Sequence, residues 1–212
     1  MIKNFSIIIS NTNRTLNYIN ILEKNNIYPN QYIYLDNSKK TKISAKLKKK
    51  IYSLKTNTKV FKTKEINKKA SKYILKLKNK NIIYSGYPGV IIKDKKVLRQ
   101  KKIIHCHPGK LPEYKGSTTI YYSWLKEKKI FCSTLILNEK GIDTGKVLFV
   151  KKYPKPKNIF SIDEKYDNFV RSRNLLYVLR NFEKLKPVSQ KTNDIVPYFK
   201  IHPVLRSIAF KK

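Results

Sequence analysis

The sequence predicts an α/β fold with an open, doubly wound and mostly parallel sheet flanked by helices. The first observation is an apolar, β-branched run at residues 5–10, which is typical of a buried strand. The second is the segment that follows, where Leu16, Ile19 and Leu22 form the apolar stripe of a helix. A further apolar run at residues 31–35 completes a strand–helix–strand unit, which is the usual opening of a parallel sheet.

The same alternation continues along the chain. Further strands are predicted at 60–61, 81–86, 102–107, 130–137 and 147–153, and further helices at 40–54, 66–77, 117–125 and 163–185. The last two strands are predicted to pair antiparallel across a short turn, so the sheet is Rossmann-like and mostly parallel. In such sheets ligands bind beyond the carboxyl ends of the strands. The turns after Ser10, Ser85 and His107 are therefore expected to line one crevice.

Length and composition fit one globular domain. With 212 residues and 41% hydrophobic content the chain can bury a core, which argues against a disordered chain. Residues 1–185 are predicted to form the domain, and residues 186–212 to form a short tail packed on it.

Cysteine usage and the absence of long apolar segments predict a cytoplasmic location without a membrane partner. Cys106 and Cys132 are too few for a disulfide scaffold, and neither belongs to a CxxC pair. The apolar start at residues 1–9 is too short for a signal peptide and instead predicts a strand. No segment approaches the roughly 20 apolar residues of a membrane span.

The charge balance is strongly basic, with 48 Lys+Arg, 13 Asp+Glu and a net charge of +35. One interpretation is a polyanionic partner such as RNA, DNA, a membrane surface or a phosphorylated substrate. The other is compositional drift, because the basic residues are spread along the chain and runs such as 46–50 and 76–80 resemble solvated helix faces. We favour compositional drift as the cause of the charge, because a nucleic-acid-binding protein usually gathers its basic residues on one face or in one arm. A net attraction for anionic substrates follows from either interpretation.

Two of the three histidines lie at the end of one predicted strand. Because side chains alternate along a strand, His105 and His107 share a face and Cys106 points away. Three interpretations are open: structural histidines, a metal site with a distant aspartate, and acid–base or oxyanion chemistry. The spacing alone does not decide among them.

The residues that follow carry a resemblance to a known family. The run His107-Pro108-Gly109-Lys110-Leu111-Pro112-Glu113-Tyr114-Lys115-Gly116 is followed, after a strand, by Gly141-Ile142-Asp143-Thr144-Gly145. This resembles the catalytic domain of folate-dependent formyltransferases, including methionyl-tRNA formyltransferase, glycinamide ribonucleotide formyltransferase, formyltetrahydrofolate deformylase and sugar N-formyltransferases. The family pattern is an Asn-x-His-Pro strand end, a Leu-Pro pair, a basic-Gly pair and a later Gly-[Ile/Val]-Asp-Thr-Gly loop. The resemblance is closest to the sugar N-formyltransferases and implies the formyltransferase fold.

The resemblance implies a role for each catalytic candidate. His107 matches the histidine that polarises the formyl group and handles protons during collapse of the tetrahedral intermediate. Asp143 matches the aspartate that positions water and keeps this imidazole charged, which agrees with the effect of a carboxylate on a nearby imidazole. His105 stands where the family has an asparagine that donates to the oxyanion. An imidazole N–H is also a donor, but the ring titrates near neutrality.

The resemblance also implies binding residues and a cosubstrate, 10-formyltetrahydrofolate. The residues expected to bind the folate are Ser85, Gly86, Tyr87, Gly89, Val90 and Gly141. The residues expected to contact the acceptor are Gly116, Ser117 and Tyr121. The stretch 85–90 fits an ordinary tight turn as well, and Tyr121 fits equally a helix packed on the sheet.

Departures from the family narrow the expected acceptor. The loop at residues 10–14 has no glycine, which argues against a ribonucleotide acceptor. The chain has no room for the C-terminal barrel of the tRNA enzyme, and it lacks the N-terminal domain usual in the deformylase. The first hypothesis is therefore formyl transfer to an amine on a small molecule, a nucleotide-linked amino sugar. The alternatives are a methionyl-tRNA formyltransferase-like or RNA-binding relative and a metal-dependent hydrolase using His105, His107 and Asp143. A homodimer is common among relatives, but the sequence fixes no interface.

Overall fold

The computed structural model describes residues 1–37, 45–54, 58–156, 161–191 and 195–211, with the backbone alone described at 45 and 46. The chain divides into two compact units. The N-terminal unit is Ile2–His105, and the C-terminal unit is Cys106–Lys212 together with Met1. This division falls inside a strand, and the expected boundary between a domain and a tail at residue 185 stays a prediction.

The N-terminal unit contains a parallel sheet. Its strands are β1 Phe5–Ser10, β2 Gln31–Leu35, β3 Thr58–Phe61, β4 Asn81–Tyr84 and β5 Lys102–His107, whose last two residues belong to the C-terminal unit. The order is β3-β2-β1-β4-β5, and every neighbouring pair is parallel. All six residues of the central strand β1 are buried, which explains its continuous apolar run.

The helices of this unit are α1 Asn13–Lys24, α2 Ala45–Tyr52, α3 Lys69–Lys76 and α4 Lys95–Gln100. The first three confirm predicted helices, although residues 40–44 of the predicted helix at 40–54 lie outside the described residues. Thr12 caps α1 by accepting a hydrogen bond from Thr15 N. The sequence patterns did not predict α4, although Asp94 marks its start by accepting from Val97 N.

The C-terminal unit contains α5 Thr119–Glu127, β6 Ile130–Ile136, β7 Val147–Tyr153, α6 Asp167–Asn181 and α7 Pro203–Lys211. The two strands are antiparallel, as predicted, with a register shift between Thr134 and Leu135. A π-helical turn at Ile162–Tyr166 precedes α6, and a 3₁₀ turn at Phe182–Lys184 follows it. The predicted tail therefore holds one helix that the sequence patterns missed.

The seven strands have the order β3-β2-β1-β4-β5-β6-β7, with β6 and β7 antiparallel, and helices flank this mostly parallel sheet. This confirms the predicted fold class. Each helix in the described parts of the chain is too short or too polar to span a bilayer.

Candidate active site

The C-terminal unit buries a histidine–carboxylate pair. His107 ends β5 and is 2% exposed, and Asp143, in the turn between β6 and β7, is 8% exposed. His107 Nδ1 lies 3.3 Å from Asp143 Oδ2. The same oxygen accepts a hydrogen bond of 2.9 Å from the main-chain N–H of Gly116. Two predicted catalytic residues and one predicted acceptor residue are thus brought together.

The opposite edge of the His107 ring is bound to the main chain. Nε2 lies 2.6 Å from the carbonyl oxygen of Tyr114 and 3.2 Å from Thr119 Oγ1. Because a carbonyl oxygen only accepts hydrogen bonds, Nε2 carries a proton. The Nδ1 edge of the ring faces the Asp143 carboxylate, so both ring nitrogens have a polar partner within the C-terminal unit.

Gly109 allows the chain to pass across the imidazole. A Cβ at this position would lie 2.5 Å from the carbonyl oxygen of Tyr114 and 2.9 Å from His107 Nε2. Thr119 Oγ1 closes the same turn by donating to the carbonyl of Pro108 at 2.9 Å. The His-Pro-Gly run is thus explained by the enclosure of His107, and Thr119 is a contact that the sequence patterns did not assign.

The turn that carries Asp143 has little freedom. Asp143 adopts a left-handed conformation with φ 55°, which costs a non-glycine residue roughly 1 kcal/mol. A Cβ on Gly145 would lie 1.7 Å from the carbonyl oxygen of the last residue of β6. Thr144 Oγ1 donates to Asn138 Oδ1 at 2.8 Å and lies 3.1 Å from the carbonyl of Gly141. These constraints give the Gly-Ile-Asp-Thr-Gly pattern a structural cause.

His105 belongs to the N-terminal unit. Its half-buried ring lies 5.9 Å from that of Tyr84, centroid to centroid. It precedes His107 by two residues on β5, so strand alternation directs both side chains to the same face. Cys106 is buried, and its Sγ lies 3.3 Å from Thr134 Oγ1 in the C-terminal unit. The expected role of His105 as an oxyanion donor stays a prediction.

The turn at residues 85–90, expected to bind the folate, uses main-chain groups within its own unit. Ser10 Oγ donates to the carbonyl of Ser85 at 2.8 Å. The Arg14 guanidinium donates to the carbonyl of Gly86. Two carbonyl oxygens of the turn are therefore already hydrogen-bonded, and the expected recognition of a flat ring stays a prediction.

Two tyrosines hold the remainder of this turn. The hydroxyl of Tyr84 donates to the carbonyl of Val90 at 2.7 Å. Burial raises the pKa of Tyr84 to about 12, so this hydroxyl remains a donor at neutral pH. The hydroxyl of Tyr87 accepts hydrogen bonds from Asn11 Nδ2 and from the main-chain N–H of Asn37, each at 3.1 Å. Tyr87 therefore joins the turn to the ends of β1 and β2.

The expected acceptor residues pack against the end of the chain. Gly116 has φ 104°, and the main-chain N–H of Ser117 donates to the carbonyl of Tyr198 at 2.7 Å. Tyr121 is 1% exposed, and its ring meets that of Phe210 edge-on at 5.9 Å. Tyr121 thus occupies the packed interior, as in the second interpretation that the sequence left open.

One further residue that sequence reasoning did not place in the site is Arg171. Its Nε lies 2.8 and 3.0 Å from the two carboxylate oxygens of Asp167, and its guanidinium donates to the carbonyl of Cys106. Cys106 lies between the two histidines, so Arg171 secures the end of β5. The i, i+4 spacing of Asp167 and Arg171 on a helix signals the ion pair but not this third partner.

The structure is thus that of an α/β protein with a mostly parallel sheet and a buried imidazole–carboxylate pair at a strand end. A sequence match to the formyl transferase family covers residues 3–165. The chain belongs to this family.

The sequence alignments with curated relatives cover only part of each relative. A methionyl-tRNA formyltransferase of Finegoldia magna is 32% identical over 129 residues, which is 58% of this chain and 41% of that protein. One of Nitratiruptor is 26% identical over 115 residues, which is 53% of this chain and 37% of that protein. The chain thus spans less than half the length of these relatives.

Solved structures share the fold at low identity. A sugar N-formyltransferase of a Shewanella species has a TM-score of 0.66 at 16% identity, covering 98% of this chain and 86% of that one. A phosphoribosylglycinamide formyltransferase of Streptococcus pneumoniae has a TM-score of 0.57 at 18% identity, covering 84% of this chain and 95% of that one. These likenesses support the fold class.

Proposed function

We propose that this chain transfers a formyl group from 10-formyltetrahydrofolate to an amine on a small molecule, a nucleotide-linked amino sugar, in the cytoplasm. The observation that carries the proposal is the buried pair of His107 and Asp143, inside the stretch that matches the formyl transferase family. A charged imidazole held by a carboxylate suits a reaction in which negative charge develops on a carbonyl oxygen.

The reaction begins when the amine lone pair attacks the formyl carbon and the carbonyl electrons move onto oxygen. The His107 imidazolium stabilises this oxyanion. The bonds found to the Asp143 carboxylate use Oδ2, so we assign Oδ1 to a water that carries the proton from the attacking amine to N10 of the folate. The bond from the formyl carbon to N10 then breaks, which releases a formamide and tetrahydrofolate.

In this proposal His107 acts on the oxyanion through its charge, because both ring nitrogens have other partners, and His105 supplies the N–H donor. Strand alternation directs its ring to the face of β5 that carries His107. A single oxyanion donor typically lowers the activation free energy by roughly 3 kcal/mol. The folate contacts assigned to Ser85, Gly86, Tyr87, Gly89, Val90 and Gly141, and the acceptor contacts assigned to Gly116, Ser117 and Tyr121, belong to the same proposal.

A small acceptor is supported by how the chain compares with its relatives. In structure, the Shewanella sugar N-formyltransferase has a TM-score of 0.66 with 86% of its chain covered, and a methionyl-tRNA formyltransferase of Clostridium thermocellum has 0.59 with 74% covered. The net charge of +35 suits the diphosphate of a nucleotide sugar. The same charge and the 32% identity favour methionyl-tRNA as the second candidate. The two candidate acceptors differ in what carries the reacting amine, which is a nucleotide-linked sugar in the first and the methionyl group of a tRNA in the second.

The test is a formylation assay with 10-formyltetrahydrofolate and two sets of acceptors, amino-sugar nucleotides and methionyl-tRNA. Release of tetrahydrofolate together with a formamide product identifies the acceptor class. We expect His107→Asn to lower kcat by at least about 1,000-fold, whereas the exposed His202 offers a matched control, His202→Asn, with unchanged kcat. Near-normal turnover by His107→Asn would overturn the site assignment.

The remaining alternatives have their own measurements. A histidine whose Nε2–H binds a carbonyl while Nδ1 faces a carboxylate is also oriented as a metal ligand would be. Stoichiometric zinc in the purified protein, with activity lost on chelation, would support the hydrolase. Salt-dependent RNA binding without binding of 5-formyltetrahydrofolate would support the RNA-binding relative.

A further inference from the structure

The end of the chain makes direct contact with the turn that carries Asp143. Gln190 Nε2 donates to the carbonyl of Asp143 at 2.8 Å and to the carbonyl of Gly145 at 2.5 Å. One side-chain amide thus binds the carbonyl oxygens of the two residues on either side of Thr144. Nearby, Val188 and Val147 exchange two main-chain hydrogen bonds of 2.8 Å, which fixes the approach of this segment to β7.

The orientation of the Gln190 amide follows from its partners. Two carbonyl oxygens require the NH₂ end, so Nε2 and Oε1 are not interchangeable here. Oε1 is buried, and no hydrogen-bond donor to it occurs among the described residues. The two bonds to the Asp143 turn are the contacts that distinguish this side chain.

A second contact reaches the other loop of the pair. Tyr198 donates from its main-chain N–H to the carbonyl of Lys115 at 2.8 Å and accepts from the N–H of Ser117 at 2.7 Å. Between these two residues, Gly116 donates to Asp143 Oδ2. A Cβ on Gly116 would lie 2.4 Å from the carbonyl oxygen of Tyr198, so the two segments are in close main-chain contact.

The two contacts converge on one carboxylate. Gln190 holds the main chain of Asp143, and Tyr198 holds the segment whose N–H binds its side chain. Asp143 has a left-handed backbone, so external hydrogen bonds are needed to favour this conformation over the usual ones. Neither contact touches His107, and their effect on chemistry passes through the position of Asp143.

We infer that Gln190 is a positioning residue of the active site, and that the end of the chain fixes the orientation of Asp143 toward His107. This inference rests on the proposed function, because it assigns the carboxylate a role in formyl transfer. The C-terminal segment is then part of the active site of the C-terminal unit, beyond the stretch 3–165 that matches the family.

The test uses the full-length protein and three variants. Gln190→Glu keeps the shape but replaces the donor by an acceptor that faces two carbonyl oxygens. Gln190→Lys restores a donor. Gln100→Glu makes the same chemical change at an exposed glutamine of α4 and is the matched control. The readouts are kcat, KM for each substrate, and hydrogen–deuterium exchange of amides in residues 138–146.

We expect Gln190→Glu to lower kcat by about 100-fold, because displacement of a catalytic group by about 1 Å has effects of that size. KM for both substrates should change by less than about threefold, since Gln190 binds neither. Exchange should accelerate within 138–146 without a change in the rest of the chain. Gln190→Lys should recover at least about tenfold in kcat, and Gln100→Glu should match the wild type.

The inference is overturned if Gln190→Glu keeps kcat within about twofold of the wild type, or if Gln190→Lys is as impaired as Gln190→Glu. A wild-type protein without formyl transfer would count against the proposed function instead. The exchange measurement still decides on the contact in that case, because it needs no substrate. Unchanged exchange of 138–146 in Gln190→Glu would show that the amide does not hold the turn.

Discussion

Two turns were expected to contribute to the active site, and they use their atoms differently. In the C-terminal unit, the turn at 141–145 directs the Asp143 carboxylate at His107, 3.3 Å away. In the N-terminal unit, the turn at 85–90 contains no charged side chain, and its carbonyls at Ser85, Gly86 and Val90 accept hydrogen bonds from within the unit. The first turn offers a carboxylate side chain, whereas the second offers main-chain carbonyls, three of which already accept hydrogen bonds.

The difference teaches which kind of site leaves a signature in a sequence. Acid–base chemistry requires particular side chains, so a histidine and an aspartate at fixed places are informative. Recognition by main-chain groups requires only a permissive backbone, and glycine and proline serve an ordinary tight turn as well. The predictions below separate these two cases by making matched changes in both turns.

The largest effect on stability is expected for Gly145→Ala. A Cβ there would lie 1.7 Å from a main-chain oxygen, and no side-chain movement relieves that overlap. We expect the free energy of unfolding to fall by about 3–5 kcal/mol, at the upper end of overpacking effects. Chemical denaturation followed by circular dichroism measures the change.

The matched change in the other turn is Gly89→Ala. Gly89 has φ 72°, but apart from its two chain neighbours no atom of the described residues lies within 4 Å of where its Cβ would be. The cost is therefore the left-handed backbone alone, about 1–2 kcal/mol. Equal losses for the two alanine variants would contradict the view that the Asp143 turn is the more tightly enclosed.

The fold was largely predictable because each signal was local. The apolar run of β1 and the stripe of α1 follow from burial on two faces and on one face, respectively. The missed helix α4 has six residues, too few for a periodic pattern, and its signal is the single cap at Asp94. The missed helix α7 follows a proline-containing segment that resembles a loop, and Pro203 in fact begins the helix.

The site was predictable where it depends on side-chain chemistry. His107 and Asp143 lie together as their motifs indicate. Gln190 gave no signal, because a lone glutamine in a tail has no partner that the sequence identifies. For Tyr121 the sequence left two interpretations open, and its 1% exposure shows the packing, while its contact with an acceptor stays a prediction. The positions of both side chains depend on packing between segments that lie far apart in the sequence. A single sequence does not reveal which segments pack together.

The largest effect on kcat is expected for Asp143→Asn. The side-chain oxygen of asparagine can still accept from Gly116, which directs the NH₂ group at His107 Nδ1. This NH₂ group can donate to Nδ1 only if Nδ1 carries no proton. The ring is then neutral, because its single proton is on Nε2, which donates to the carbonyl of Tyr114. We expect kcat to fall by about 1,000- to 10,000-fold with the fold preserved, as when a histidine loses its carboxylate partner elsewhere.

The control for this change is Asp163→Asn. Asp163 pairs with Arg206 at 2.5 Å, but both side chains are more than 40% exposed. Loss of such a pair has a small effect on stability and none on a reaction elsewhere in the molecule. If the two asparagine variants had the same kcat, the carboxylate of Asp143 would not be required for the reaction.

The smallest effect is expected for Tyr87→Phe in the N-terminal turn. The change removes the hydroxyl that binds Asn11 and Asn37, and the exposed Tyr28 provides the control Tyr28→Phe. A lost hydrogen bond costs about 1 kcal/mol. If the bound conformation of the turn loses that energy, folate binding becomes roughly fivefold weaker. Calorimetric titration with 5-formyltetrahydrofolate should therefore show a several-fold higher Kd for Tyr87→Phe and unchanged kcat. Unchanged Kd with reduced stability would assign the hydroxyl to the turn alone, and the folate contacts would then have to lie outside residues 85–90.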